Sequence, residues 1–290
     1  MEWLEALPFD IIPHMGEQYL FFDMDGTLIE PSTHHLLPST IHAVRQAMHQ
    51  GCHVFLCTGR GYKMALEYQA ELEIPGVIFS NGAGIAYQGK ILETTSIASN
   101  IVRKMTDLVS LLQGGYQILG INAIYQNEKE HQRFAKRFPQ QYPNLCEEEV
   151  FHRKAMKLID EYSGEAIQKI DFNFDSELTA DLFFARIPAS LEVVLSGGYY
   201  ANLGRRGGEL MQRGTTKGRA VKRVLSMFGA SAHDAYGFGD SMNDITMLQD
   251  CGTGIAMGNS TEELKKCADY VTNDASHDGI YNAMKHFQII

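Results

Sequence analysis

Several short stretches place acids, amides, small hydroxyls or a cation where chemistry could be done. Asp23 and Asp25 stand two residues apart in YLFFDMDGTL, straight after four apolar and aromatic residues. Thr58, Gly59 and Arg60 follow HVFLC, and Ser80, Asn81 and Gly82 follow GVIF. Lys217 opens KGRAVKRVL, while Asp240, Asn243 and Asp244 cluster after AYGFG. Burying charge at the end of an apolar strand is costly unless something pairs with it. Acids gathered at one rim repel one another, and a divalent cation relieves this. Mg²⁺ prefers hard oxygen ligands, is commonly held by one or two carboxylates and keeps several waters. Asp23 and Asp240 are the natural side-chain ligands, and the backbone carbonyl of Asp25 could add a third. One such carboxylate can act as a nucleophile that forms an aspartyl phosphate. Its neighbour can protonate the leaving oxygen and later deprotonate water. Thr58, with the Gly59 amide at a helix N-terminus, can hold phosphate oxygens. Lys217 can neutralise developing charge, with Gly218 allowing close approach.

Each feature has a plainer reading when taken singly. Asp-Gly is a common turn dipeptide. CTGR is weaker still, GDSMND could be a turn plus a helix cap, and a lone lysine is usually a solvated one. Their joint occurrence, mostly after expected strands, makes coincidence a poor explanation. His34 and His35 read as loop residues, His53 as a strand-edge residue, and Met242 and Met247 as packing residues.

The elements that would carry these residues alternate. YLFF, HVFLC and GVIFS read as buried strands. Between the first two lies a helix after Pro38, with Ser39 as N-cap, Ile41, Val44 and Met48 at helical spacing and Gly51 as its stop. YKMALEYQAEL reads as a second helix. The pattern returns near residue 209: a helix ending at Gly229, a strand AYGFG, helical NDITMLQD, strand GIAM, a capping box from Ser260 to Glu263, a short strand YVT and a closing helix. Strands alternating with helices imply a parallel sheet covered on both faces, and such sheets bind ligands beyond the carboxyl ends of their strands. The middle differs in style, mixing a hairpin turned at Gln88-Gly89 with helices and strands such as QILGINAIY and KIDFNF. The expected fold class is therefore α/β, a doubly wound parallel sheet made by residues 1–83 and 205–290, with an α+β domain, 84–204, inserted into it.

Composition narrows the function classes. A chain of 290 residues has room for two domains, and 44% hydrophobic with 21% charged residues is the balance of a globular protein. A net charge of -10 argues against non-specific nucleic-acid binding, which relies on basic surface. Five scattered cysteines without a CxxC pair read as reduced, buried thiols of a cytoplasmic protein. The acidic start lacks the basic region of a signal peptide, and the residues before Met15 are either a packing extension or a tail. No apolar run approaches the roughly 20 residues of a membrane helix.

As a set, FFDMDGTL, FLCTGR, TTKG and GFGDSMNDITML resemble the four motifs of the haloacid-dehalogenase superfamily of phosphohydrolases. FSNGA, GIAMGNSTEELKKCADYVT and DGI resemble its Cof-type branch. The resemblance implies that Asp23 is the nucleophile and a magnesium ligand, and that Asp25 is the acid/base with a carbonyl on the metal. Asp240 would be a metal ligand, and Asp244 would lie in or behind that shell. Thr58, Gly59, Lys217, Asn243 and the backbone of Met24 would grip the phosphate, with Arg60 nearby. The long insertion between Gly82 and Lys217 resembles the family's α+β cap, which selects the leaving group. The expected function is a Mg²⁺-dependent phosphomonoesterase for small phosphorylated metabolites, sugar phosphates in particular. Expected partners are that metabolite alone, with no nucleic acid or membrane, in a monomer or weak homodimer. A phosphomutase and a catalytically silent phosphometabolite sensor are the alternatives.

Overall fold

The computed structural model describes residues 17–33, 35–141, 146–194 and 206–290. The segment before Met15, His34 and most of the Gly-rich stretch at 195–205 therefore lie outside the described residues. In chain order the elements begin with β1 (Tyr19–Phe22), α1 (Pro38–His49), β2 (His53–Cys57), α2 (Tyr62–Leu72), β3 (Gly76–Phe79), β4 (Gly84–Tyr87) and β5 (Lys90–Thr94). Next come α3 (Ser99–Leu111), β6 (Gly115–Gly120), β7 (Ile124–Gln126), α4 (Glu128–Gln141), α5 (Glu147–Arg153), β8 (Met156–Leu158), β9 (Ile167–Asn173), α6 (Glu177–Phe184), β10 (Leu191–Val194) and β11 (Gly207–Gln212). The chain ends with α7 (Lys217–Phe228), β12 (Ala235–Gly239), α8 (Ile245–Asp250), β13 (Thr253–Ala256), α9 (Glu262–Lys265), β14 (Tyr270–Val271) and α10 (Gly279–His286).

Two compact units result. Residues 59–67 and 95–215 group in one, and the rest of the chain in the other. The larger sheet runs β14-β13-β12-β1-β2-β3-β4-β5. All its pairs are parallel except β3–β4 and β4–β5, a hairpin turned by Gln88 and Gly89 at φ 48° and 75°. Side chains alternate along a strand, so β1 serves two cores. Tyr19 and Phe21 pack with Phe55 and with Val221, Val224, Leu225 and Phe228 of α7. Leu20 and Phe22 point to the opposite face, where α1 packs against β2 and α10. Helices thus cover both faces, as the sequence pattern predicts. α7 has the ends its sequence calls for: the Thr216 hydroxyl caps Arg219 N–H, and Gly229 closes the helix at φ 67°.

The second unit holds a six-stranded sheet, β10-β11-β9-β6-β7-β8, antiparallel except for β7–β8. Ile170 and Phe172 of β9 pack with Val102, Met105 and Val109 of α3 and Phe183 of α6. On another side Leu119 and Ile124 pack with Phe134 of α4 and Val150 of α5. The sequence places the domain seams at 83/84 and 204/205; the compact units change over at Thr94/Thr95 and Thr215/Thr216.

Local expectations fail in four places. Pro38 takes the first helical position of α1, which makes Leu37 the N-cap. Ser39 lies inside the helix and donates to Asp278 Oδ1 at 2.5 Å. The cap of α9 is Thr261 rather than Ser260, accepting from Leu264 N–H at 3.3 Å. Met247 is buried, but Met242 is 41% exposed on the tight turn after β12. Of the cysteines, all free, Cys57 and Cys251 are buried, Cys52 and Cys267 are half-buried and Cys146 is exposed.

Candidate active site

The strand order of the larger sheet reverses between β1 and β12. From β1 the chain proceeds outward to β2 and β3, and later from β12 outward to β13 and β14 on the other side. Such a reversal opens a crevice at the carboxyl ends of the two central strands. Phe22 and Phe238 are level in the ladder. Asp23 therefore emerges beside Asp240, and its N–H donates to Phe238 O at 2.9 Å. α7 brings Lys217 in its first turn.

The Lys217 ammonium is fully buried and donates to Asp23 Oδ1 at 2.5 Å and to Asp244 Oδ1 at 2.6 Å. The other oxygen of Asp244 accepts the N–H groups of Asp240 at 3.1 Å and Ser241 at 3.0 Å, which fixes the turn after β12. Carboxylate oxygens of Asp23, Asp240 and Asp244 all lie within 4.8 Å of one another. Burial and then the charge of Asp244 push the Asp23 carboxyl well above its ordinary range. The same two causes raise Asp240 to about 7. Burial opposes the charge on Lys217, but the carboxylates of Asp23 and Asp244 outweigh it and hold the ammonium charged.

Three acids against one ammonium leave a surplus of negative charge, and Asp240 Oδ1 is buried without a hydrogen-bond partner among the described residues. An orphaned carboxylate oxygen in a buried acidic cluster is costly, and the all-oxygen donor set suits a hard divalent cation. The residues present fit Mg²⁺. Gly26 keeps this space open: at φ 86°, a Cβ there would lie 2.3 Å from Asp240 Oδ2.

The remaining expected residues divide. Asp25 is exposed, whereas Asp23 is buried, and the charge of Asp25 adds to the causes that raise the Asp240 carboxyl. The chain turns at once after β1, with Gly26 N–H donating to Ile29 O at 3.0 Å. Met24 is buried, and its carbonyl accepts from Ile29 N–H at 2.8 Å. Thr58 is buried at the end of β2, its N–H donating to Ile78 O. Asn243 sits on the turn Met242–Asp244, half-buried. Gly59 and Arg60 group with the second unit, where Gly59 O accepts from Lys169 Nζ at 2.9 Å. Two amides support the site: Asn259, which carries no expectation from the sequence, and Asn81, expected at the rim after β3 but without a role. Asn259 donates to Gly26 O at 2.8 Å and accepts from Ala275 N–H at 2.7 Å, bracing the turn that holds Asp25. Asn81 accepts from Asn243 Nδ2 at 3.0 Å. GNS after β13 and SNG after β3 were the available signals, since both follow strands of the same sheet.

A doubly wound sheet whose strand ends deliver acids and one buried lysine to a single crevice defines a class of phosphoryl-transfer hydrolases. The chain belongs to the haloacid dehalogenase-like hydrolases, whose family model matches residues 20–284. The phosphatase YwpJ of Bacillus subtilis is 28% identical, over 91% of this chain and 97% of its own length. The pyridoxal phosphate phosphatase YbhA of Escherichia coli is 26% identical, over 92% and 97%. Among solved structures, the subclass IIB sugar phosphatase BT4131 superposes with a TM-score of 0.76 at 28% identity, covering 94% of this chain and all of its own. The protein is a phosphatase of the Cof-type branch, acting on small phosphorylated metabolites. No helix among the described residues is long and apolar enough to cross a membrane.

Proposed function

We propose that the protein hydrolyses phosphate monoesters of sugars and related polyhydroxylated metabolites in a Mg²⁺-dependent reaction through an aspartyl phosphate on Asp23. The observation that carries this is the Lys217 ammonium bridging Asp23 and Asp244 beside the unpartnered oxygen of Asp240. Lys217 fixes the Asp23 carboxylate, and its third N–H remains for a phosphoryl oxygen. Thr58, Asn243 and the Met24 backbone supply further donors. Asp23 attacks phosphorus in line, forming its own P–O bond as the ester P–O bond breaks. Asp25 gives its proton to the departing alkoxide; its exposure lets it exchange protons with water. Asp25 then takes a proton from water as that water attacks the aspartyl phosphate, releasing phosphate and restoring Asp23. Mg²⁺, held by Asp23, Asp240, Asp244 and the Asp25 carbonyl, would offset charge on the phosphoryl oxygens. The inserted α+β segment would choose the leaving group.

A panel of hexose phosphates, pyridoxal phosphate and an aryl phosphate, assayed for released phosphate with Mg²⁺ and with a chelator, tests the reading. Release is expected only with the metal, and Asp23→Asn should lower turnover by at least ~10³-fold, as loss of a central catalytic group does. Near-normal turnover by Asp23→Asn would rule out the covalent route. Isomerised sugar phosphate in place of free phosphate would make the protein a mutase.

A further inference from the structure

Three consecutive residues after β3 have positive φ: Ser80 at 49°, Asn81 at 52° and Gly82 at 98°. Left-handed backbone is disfavoured for residues with a Cβ and persists only where the surroundings hold it in place. Gly82 is required by contact, since a Cβ there would lie 2.3 Å from the carbonyl of Thr216, the residue before Lys217. Asn81 has no such need to lack a side chain, and it keeps a carboxamide only 3% exposed. Its N–H donates to Thr58 O at 2.9 Å, and its Oδ1 accepts from Asn243 Nδ2 at 3.0 Å. The other end of the Asn243 amide is also held, Oδ1 accepting from Ser241 Oγ at 2.7 Å.

We infer that Asn81 is a positioning residue: it orients the Asn243 amide so that the second N–H of Nδ2 meets a phosphoryl oxygen. The inference rests on the proposed role of Asn243 in gripping phosphate. An amide pinned at both ends cannot turn its oxygen toward the anion, so the donor is set before substrate arrives. The same three-residue run presses on Thr216 and bonds Thr58, so the loop after β3 also fixes the backbone beside two further phosphate-facing groups. Asn81 itself is buried and acts through the Asn243 amide.

Asn81→Gly separates this role from a purely conformational one, because glycine takes φ of 52° without strain but has no acceptor. Thermal stability should hold or rise. KM for a sugar phosphate and the inhibition constant for inorganic phosphate should both increase, with kcat/KM down on the order of 10–10²-fold, the scale of a misplaced binding group. In the Asn243→Ala background, adding Asn81→Gly should change kcat/KM by less than about twofold, because a residue acting only through another has nothing left to position. Wild-type KM and phosphate inhibition in Asn81→Gly, or equal effects in both backgrounds, would overturn the inference while leaving the role of Asn243 intact. A normal KM and phosphate inhibition in Asn243→Ala itself would overturn both.

Discussion

Each unit of the molecule buries one lysine among carboxylates, and the two lysines differ in what they leave unfilled. Lys169 of β9 is 3% exposed and all three of its hydrogens have oxygens to face: Gly59 O at 2.9 Å, Glu209 Oε1 at 2.8 Å and Asp171 Oδ1 at 3.1 Å. Among the described residues, Lys217 is buried completely but faces two carboxylates, and beside it Asp240 keeps an oxygen without a donor. Buried charge is tolerated when its partners are complete. In the first cluster the ammonium faces three oxygens, although Asp171 Oδ1 is held only as an ion pair and makes no hydrogen bond among the described residues. The second becomes complete only with a cation for the surplus acid and an anion for the spare N–H, which is what a phosphatase site requires. The third acid and the uncommitted N–H of Lys217, rather than burial of charge, separate the proposed reacting cluster from the one that ties β9 to β11.

Replacing each lysine by methionine sharpens the contrast. Lys217→Met should lower phosphate release on the order of 10³-fold or more, while Lys169→Met should lower it less than about tenfold on an aryl phosphate. Equal losses would break the comparison. Both should destabilise by about 3–5 kcal/mol, the usual result of removing one partner of a buried pair, read from denaturant midpoints.

A smaller effect concerns Asp171. Burial first, against the opposing charge of Lys169, raises its carboxyl from 3.8 to about 7. An acid whose pKa is raised on folding gives stability that is full below its unfolded pKa and is lost as pH rises through the folded one. Asparagine cannot ionise, so the stability of Asp171→Asn relative to wild type should improve steadily between about pH 4 and about pH 7. A difference independent of pH across that window would show that Asp171 is ionised throughout and that the Lys169 cluster is a full ion pair.

The sequence carries much of the larger sheet, because a parallel sheet writes itself locally: β1, β2 and β12 are short apolar runs, each followed at once by polar residues. The four acids, Thr58 and Asn243 are candidates from the sequence for that reason, and Lys217 is a candidate as the opening residue of a helix. The Lys169 cluster could not. Lys169 and Asp171 alternate on one strand, but Glu209 comes opposite Asp171 only through the β9–β11 register, which no local pattern encodes. For the same reason the sequence does not reveal that the β4–β5 hairpin extends the larger sheet, since this depends on Gly76 pairing with Tyr87. Ser39 and Ser260 were misplaced as caps because a neighbour competed for the position: Pro38 fits the first helical turn, and Thr261 offers a hydroxyl one residue later. Asn81 is legible as a residue at the rim after β3, but its role is not, because its partner Asn243 lies on a turn distant in sequence.

The central claim is that Asp23, Asp240 and Asp244 share one divalent cation. Calorimetric titration of Mg²⁺ into the metal-free protein, wild type and Asp240→Asn, tests it without depending on turnover. A single site in the wild type, weakened at least roughly tenfold in Asp240→Asn, is the expected result, in keeping with loss of one ligand carboxylate. Absence of a saturable site in folded wild-type protein, or equal affinity in both, would contradict the account.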